Sequence, residues 1–439
     1  MVAEAPGWSG SGMTAMDGLA GRLESEIALA DRLLADLREH TGDPPGVTRA
    51  SFGAGERYAH GRMAALAREL ALEIATDSAG NLYMTLPGRD RAAPRIMIGS
   101  HLDSVPHGGN YDGAAGVVAG MAALTRLRAA GWTPRQDITV MGIRAEEMSW
   151  FPAHYIGSRA AFGLLPAELL DGCRRVDTGR SLADHMREEG FDPDALRRGQ
   201  AYLDPAAIRC YLEPHIEQGP LLVKRDVPIG IVTAIWGNLR YKHCRVTGEY
   251  SHAGGVPRRH RRDAVLAAVD FVQALEEHWL ERERAGTDFV CTVGELYTDA
   301  THHTITKIPG DVRFTMDIRS DDNAVLLATH DHLTGLARRI AAVRNVEIEL
   351  GPYTNALPAR LDGALQAQLR EQAARQGIRT LDMASGAGHD CAVFANQGVP
   401  CAMIFVRNQH GSHNPNEAMA IEDFGQGLRL LVGLLEALG

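Results

Sequence analysis

Apolar residues recur at helical spacing through Glu24–Leu37 and again through Glu56–Leu72, which predicts a helix over each stretch. Asn81–Leu86 and Arg95–Gly99 read as strands, the second short and wholly apolar at Ile96, Met97 and Ile98. A helix rich in Ala, Val, Met and Leu is expected over Ala114–Ala130, and Asp137–Ile143 reads as another buried strand. Strands alternating with helices predict an α/β fold with a mostly parallel sheet covered on both faces. Such sheets place their chemistry in the loops that follow the carboxyl ends of strands.

The middle of the chain changes character. From about Val232 to Tyr353 the order reads strand, helix, strand, strand, helix, strand. The strands fall near Tyr241–Thr247, Phe289–Tyr297, Val312–Ile318 and Val346–Leu350, and the helices over Asp263–Arg282 and Ala324–Val343. That order is a ferredoxin-like α+β unit. The chain is therefore expected to hold a discontinuous catalytic domain, residues 16–231 and 351–439, interrupted by an inserted domain over 232–350.

Charge narrows the possible partners. The 439 residues carry 45 basic and 55 acidic side chains, a formal charge of −10, so the net basic footprint of a sequence-independent nucleic-acid binder is missing. One local exception is Arg258-Arg259-His260-Arg261-Arg262, which reads as a solvated helix start, or alternatively as a lure for an anionic substrate. Six scattered cysteines (173, 210, 244, 291, 391, 401) form no C-x-x-C pair and read as reduced thiols of a cytoplasmic protein. The N-terminal stretch has neither a basic flank nor an apolar run, so no signal peptide is expected, and its first fifteen or so residues read as unstructured. No apolar run is long enough to predict a membrane span.

The candidate chemistry lies at the predicted strand ends. His101 and Asp103 emerge directly from an apolar strand, and Asp112 precedes a helix after a turn containing Gly108 and Gly109. Imidazole and carboxylate are good divalent-metal ligands. Asp103, two residues on, can clamp the ring's other nitrogen. The strand Asp137–Ile143 runs into Glu146-Glu147, whose side chains must diverge: one can ligate a cation while the other takes a proton from an attacking water. His215 follows an apolar segment, and His413 lies just after the strand Cys401–Val406. Singly, each also fits a helix cap, an acidic loop or a structural histidine. Together His101, Asp112, Glu147 or its neighbour, His215 and His413 suffice for two closely spaced metals.

The motifs GSHLDSVPHGGNYDGAAGVVAG, HIEQGP, HAGG-x-P-x-x-x-R-x-DA, IPG-x-V-x-F-x-x-DIR, SGAGHD and SHNP-x-E occur in this order. With them the chain resembles the hydantoinase/carbamoylase amidases of the M20 metallopeptidase superfamily, from about Arg49 to the C-terminus. The resemblance implies two divalent ions (Zn, Mn, Co or Ni), one held by His101, Asp112 and His215, the other by Asp112, Glu147 and His413. Glu146 would be the general acid/base, and His252 would stabilise the oxyanion, reaching across the interface of a homodimer. Gln218 and Arg319 match substrate-contacting positions, and the inserted domain would be both lid and dimerisation surface. His389, with Asp390, is expected beside the metals or substrate without ligating. Several positions depart from the family pattern: Thr306 replaces an Asn that contacts substrate, Arg258 replaces a Met, Met148-Ser-Trp-Phe151 replaces Gly-x-Arg-Phe, and the 407–413 loop is one residue shorter.

The implied reaction is hydrolysis of the ureido C–N bond of an N-carbamoyl-L-amino acid, giving amino acid, carbon dioxide and ammonia. Allantoate or 3-ureidopropionate is the alternative substrate, and an N-acyl amino acid or dipeptide the third. A fold that binds without turnover is disfavoured, because the base and every ligand are present.

Overall fold

The computed structural model describes residues 18–439. The expectations for the N-terminal stretch, that it is unstructured and carries no signal peptide, lie outside the described residues. The chain clusters into two compact units. One runs through Val232 and includes Asp362–Met383 and Val393–Gly439; the other comprises Thr233–Leu361 and Ala384–Ala392.

The first unit is built on a mixed sheet. Its central strands, Ile138–Ile143, Arg95–His101, Ile208–Ile216 and Cys401–Val406, run parallel to one another. Leu82–Leu86 and Glu73–Thr76 add antiparallel strands on one side, and residues 229–232 pair antiparallel with Cys401–Val406 on the other. All six residues of Ile138–Ile143 and of Cys401–Val406 are buried, as expected for strands covered on both faces. The helix Ala114–Ala129 packs its small residues on the sheet, and Leu33, Met63, Leu124, Leu428 and Leu431 join the same core.

Among the boundaries that differ from the sequence reading, two do so for identifiable reasons. The second helix is Ala54–Glu69, not Glu56–Leu72: Ala71 turns to φ +52° and the Leu72 amide reaches back to Ala67, which drops Leu72 into the core. The strand Arg95–His101 runs two residues further than expected, because Ser100 and His101 stay paired with Gly142 and Ile143. Between 156 and 197 lie four helices of five to seven residues, packed around Phe151, Ile156, Leu182 and Met186. Segments that short display too few turns for an apolar period to emerge.

The second unit has the order strand, helix, strand, strand, helix, strand. Its sheet runs Phe289–Thr298, Asp311–Ser320, Gly237–Thr247, Glu347–Glu349, with every neighbour antiparallel. The helices Ala264–Arg284 and Asn323–Arg344 contribute Phe271, Leu275, Leu333 and Leu336 to a core shared with the sheet. The unit extends to Leu361 because Tyr353–Ala356 also pairs with Gly237–Thr247. At the helix start Asp263 accepts from the Leu266 amide, and Arg261 donates to the carbonyls of Ala253 and Val256. Part of the arginine cluster is therefore structural.

His278 supplies a pH prediction for this unit. It is buried, stacks on His332 at 4.3 Å, and meets Phe289 edge-on. Burial pulls its pKa down from 6.5 to about 4. Between those values the unfolded chain binds the extra proton, so this contribution to stability is complete above pH 6.5 and is lost as pH falls toward 4. His278→Leu should shift the acid-unfolding midpoint to lower pH in a near-UV circular dichroism titration. An unchanged midpoint would count against the assignment.

Candidate metal centre

The site of the first unit grows out of its strand ends. His101 is the last residue of its strand. Its Nδ1 lies 3.1 Å from the Asp103 carbonyl and 3.4 Å from Asp103 Oδ1, so its Nε2 faces Asp112, 3.6 Å from Oδ1. His215 is the penultimate residue of Ile208–Ile216. Its Nδ1 donates to the Ile216 carbonyl at 2.9 Å, and its Nε2 stands 3.3 Å from Asp112 Oδ1. The adjacency of the two parallel strands thus brings both imidazoles to one carboxylate oxygen.

The other oxygen faces a different set. Asp112 Oδ2 accepts from Gln218 Nε2 at 2.9 Å and lies 3.3 Å from His413 Nε2. That same His413 nitrogen is 3.2 Å from Glu147 Oε1. Asp112 therefore stands between two donor groups, His101/Asp112/His215 and Asp112/Glu147/His413, each able to put its ligand atoms within 4.8 Å of one another. His101, Glu146 and Glu147 meet the same limit.

Asp103 does more than face a histidine. Its Oδ1 accepts from the Glu146 amide at 3.1 Å, and its Oδ2 from the Glu147 amide at 3.2 Å and from Ser51 Oγ at 2.6 Å. Just before them Ala145 sits at φ +53°, a conformation uncommon outside glycine, with its amide held by Glu56 Oε1 at 2.9 Å. Glu56 is in turn buried against Arg144 at 2.7 Å. This backbone reversal carries the chain into the two glutamates, which each bring a carboxylate oxygen within 4.8 Å of the other and of a His101 nitrogen.

The electrostatics fit a cation site. Asp112 and Glu147 push the His413 pKa up to about 11. Burial opposes charge on His101, yet Asp103 and Asp112 raise its pKa well above the usual imidazole value. His215, with burial dominant, is pulled down to about 4. Burial alone would raise Asp112, but His101 and His413 hold its carboxyl well below the carboxylate range. Asp112 Oδ1 is buried and accepts no hydrogen bond among the described residues. A desolvated carboxylate oxygen facing two imidazoles fits a divalent ion, and the donor types suit Zn, Mn, Co or Ni.

Of the sequence-predicted residues, the first unit thus brings together His101, Asp103, Asp112, Glu146, Glu147, His215, Gln218 and His413. The remaining four lie in the second unit. His252 Nδ1 accepts from the amides of Gly254 (3.2 Å) and Gly255 (2.9 Å), which fixes the ring proton on Nε2 and makes that nitrogen a donor. Thr306 contributes its carbonyl to the Ala253 amide at 2.9 Å. Arg319 places Nε and one terminal nitrogen on Asp317 and the other on the Gly386 carbonyl. His389 is buried, with Nε2 2.9 Å from Ser385 Oγ. Sequence reasoning gave no role to Arg49, Glu56, Ser412 or Glu417, although Ser412 and Glu417 stand inside the SHNP-x-E motif.

A sheet with a parallel centre and groups of potential metal donors at its strand ends fits a metal-dependent hydrolase, and the sequence comparison agrees: residues 97–437 match the family described as Peptidase family M20/M25/M40, and the chain belongs to it. It is 38% identical over 401 residues to the N-carbamoyl-L-amino acid amidohydrolase of Geobacillus stearothermophilus, covering 91% of this chain and 95% of that one. It is 34% identical over 368 residues to the allantoate amidohydrolase of Escherichia coli (strain K12), covering 83% and 86%. Among solved structures it is similar to an amidase of the hydantoinase/carbamoylase family from Burkholderia multivorans, with a TM-score of 0.83, 30% identity, and coverage of 93% and 98%. The family resemblance read from the motifs is borne out, as is an α/β fold whose sheet is parallel at its centre.

Proposed function

We propose that this chain is a binuclear-metal amidohydrolase that cleaves the ureido C–N bond of an N-carbamoyl-L-amino acid, releasing amino acid, carbon dioxide and ammonia. The observation that carries the reading is Asp112, whose two oxygens face separate ligand sets at 3.3–3.6 Å. Similarity to the Geobacillus amidohydrolase supports the substrate class, and similarity to the Escherichia enzyme keeps allantoate as the second reading.

The chemistry that a pair of divalent cations supplies at such a site is a lowered water pKa and a polarised scissile carbonyl. Glu146 takes the proton of the attacking water and delivers it to the departing nitrogen. His252, with its proton fixed on Nε2, donates to the oxygen on which charge develops. Gln218 and Arg319 hold the substrate. Asp317 engages the Nε edge of Arg319 and the Gly386 carbonyl accepts a hydrogen bond from the remaining nitrogen, so a substrate carboxylate would meet the guanidinium protons that these two leave. The ferredoxin-like unit is assigned the roles of lid and homodimer surface, and His252 reaches a partner's site. A cytoplasmic location is supported by six cysteines that are all buried and free. No described helix is long and apolar enough to cross a membrane.

Chelation followed by reloading with Zn²⁺, Mn²⁺, Co²⁺ or Ni²⁺ should restore two ions per chain. Ammonia release should then be fastest from N-carbamoyl-L-amino acids. Faster release from allantoate or 3-ureidopropionate would move the assignment to that substrate. A fully loaded protein that turns over only N-acyl amino acids or dipeptides would exclude ureidolysis.

A further inference from the structure

Glu417 is buried, and among the described residues it forms no ion pair. A carboxyl in that position is costly unless its acceptor capacity is used. Here it is used entirely around Asp112. Oε1 accepts from the amides of Tyr111 (2.8 Å) and Asp112 (3.2 Å), while Oε2 lies 2.6 Å from Ser412 Oγ. The same hydroxyl is 2.6 Å from Asp112 Oδ2. Glu417 thus holds Asp112 by its backbone amide, and the Glu417 and Asp112 carboxylates share the single proton of the Ser412 hydroxyl that lies between them.

The turn before Asp112 is shaped to receive this carboxyl. A Cβ at Gly109 would stand 2.1 Å from the Glu417 carboxyl carbon, so the side chain packs directly on a bare backbone. From the other side, fully buried Arg49 donates to the Leu102 carbonyl at 2.9 Å and to Asn110 Oδ1 and O at 3.2 and 3.3 Å. The segment that carries Asp112 is therefore fixed at both ends. Without the hold from Glu417, rotation of Asp112 about its side-chain bonds could turn both oxygens toward one ligand set.

We propose that Glu417, acting through the Tyr111–Asp112 amides and through Ser412, is a positioning residue that keeps the two oxygens of Asp112 divided between two cation sites. The inference rests on the two-cation reading, and the experiment separates the two.

The full-length chain is stripped of metal and titrated with Zn²⁺ and with Co²⁺, with ions per chain counted after dialysis and the Co²⁺ visible spectrum recorded. Glu417→Ala should retain one tight ion and bind the second about 10–100-fold more weakly, the usual cost of removing an outer hydrogen-bonding partner of a metal ligand. Glu417→Gln should recover most of that affinity, because its oxygen can still accept from both amides and its NH2 can reach Ser412. Ser412→Ala, at a partly exposed position, serves if Glu417→Ala does not fold, and should also weaken the second ion. Wild-type second-site affinity in both Glu417→Ala and Ser412→Ala overturns the proposal. So does a Gln variant as defective as the Ala variant, since hydrogen-bond geometry would then not be the cause. A wild-type chain that takes up fewer than two ions instead refutes the two-cation reading itself.

Discussion

Glu146→Gln is expected to bind two ions with near wild-type affinity while turnover falls about 10²–10⁴-fold, the typical contribution of a general base. The expectation follows from the different donor groups that the paired glutamates join. Glu147 is turned toward His413, 3.2 Å away, and belongs to the Asp112/Glu147/His413 set. Glu146 falls on the His101 side and is needed by neither set that shares Asp112. Its amide is pinned by Asp103, so a glutamine there keeps the backbone and the shape but cannot carry a proton. The measurements are metal content and kcat on the same preparation. Normal turnover would remove Glu146 from the proton-transfer role. Loss of an ion would make it a ligand.

The contrast with Glu147 shows what sequence could convey about this site. Two adjacent acids after a buried strand mark a candidate site, and that much was legible from the run DITVMGI-RAEE; their divergence was expected, whereas both bring a carboxylate oxygen into one group with His101. Where the two glutamates stand depends on a positive-φ alanine just before them and on the Glu56 carboxylate that holds its amide, 89 residues away in the chain. Nothing local encodes that. Likewise His101 and His215 were each recognisable as a polar residue at an apolar strand's end. Their convergence depends on the parallel pairing of the two strands, which no spacing reveals.

The fold followed the same division. Long periodic helices and fully apolar strands were readable because burial on one or both faces leaves a strong pattern. The short helices of the 156–197 region left none. Arg49 and Glu417 were overlooked for a different reason. A buried ionisable side chain whose hydrogen bonds go to neutral groups looks, in sequence, like any surface charge. Their function is visible only once the turn they hold is seen. The Asp103 carboxylate is an intermediate case: its place beside His101 was foreseeable, whereas its grip on the amides of Glu146 and Glu147 was not.

Gly113→Ala should damage both stability and the site. Gly113 lies at φ +66° and ψ −51°, a region that L-residues with a Cβ avoid, at a cost of about 1–3 kcal/mol. A Cβ there would also stand 2.5 Å from three atoms of the His101 ring. The ring cannot yield without losing its approach to Asp112, because its Nδ1 is held by Asp103 on the opposite side. Overpacking of this kind adds roughly another 1–3 kcal/mol. The expected result is therefore a lower unfolding temperature together with loss of the ion bound by His101, Asp112 and His215. Gly131→Ala separates the two effects: Gly131 has φ +64° but a Cβ there would meet nothing within 4 Å, so it should show backbone strain alone and keep both ions. Calorimetry and metal counts on the pair test the argument. If Gly113→Ala retains two ions and wild-type turnover, the close approach of this turn to His101 is not what sets the ligand geometry.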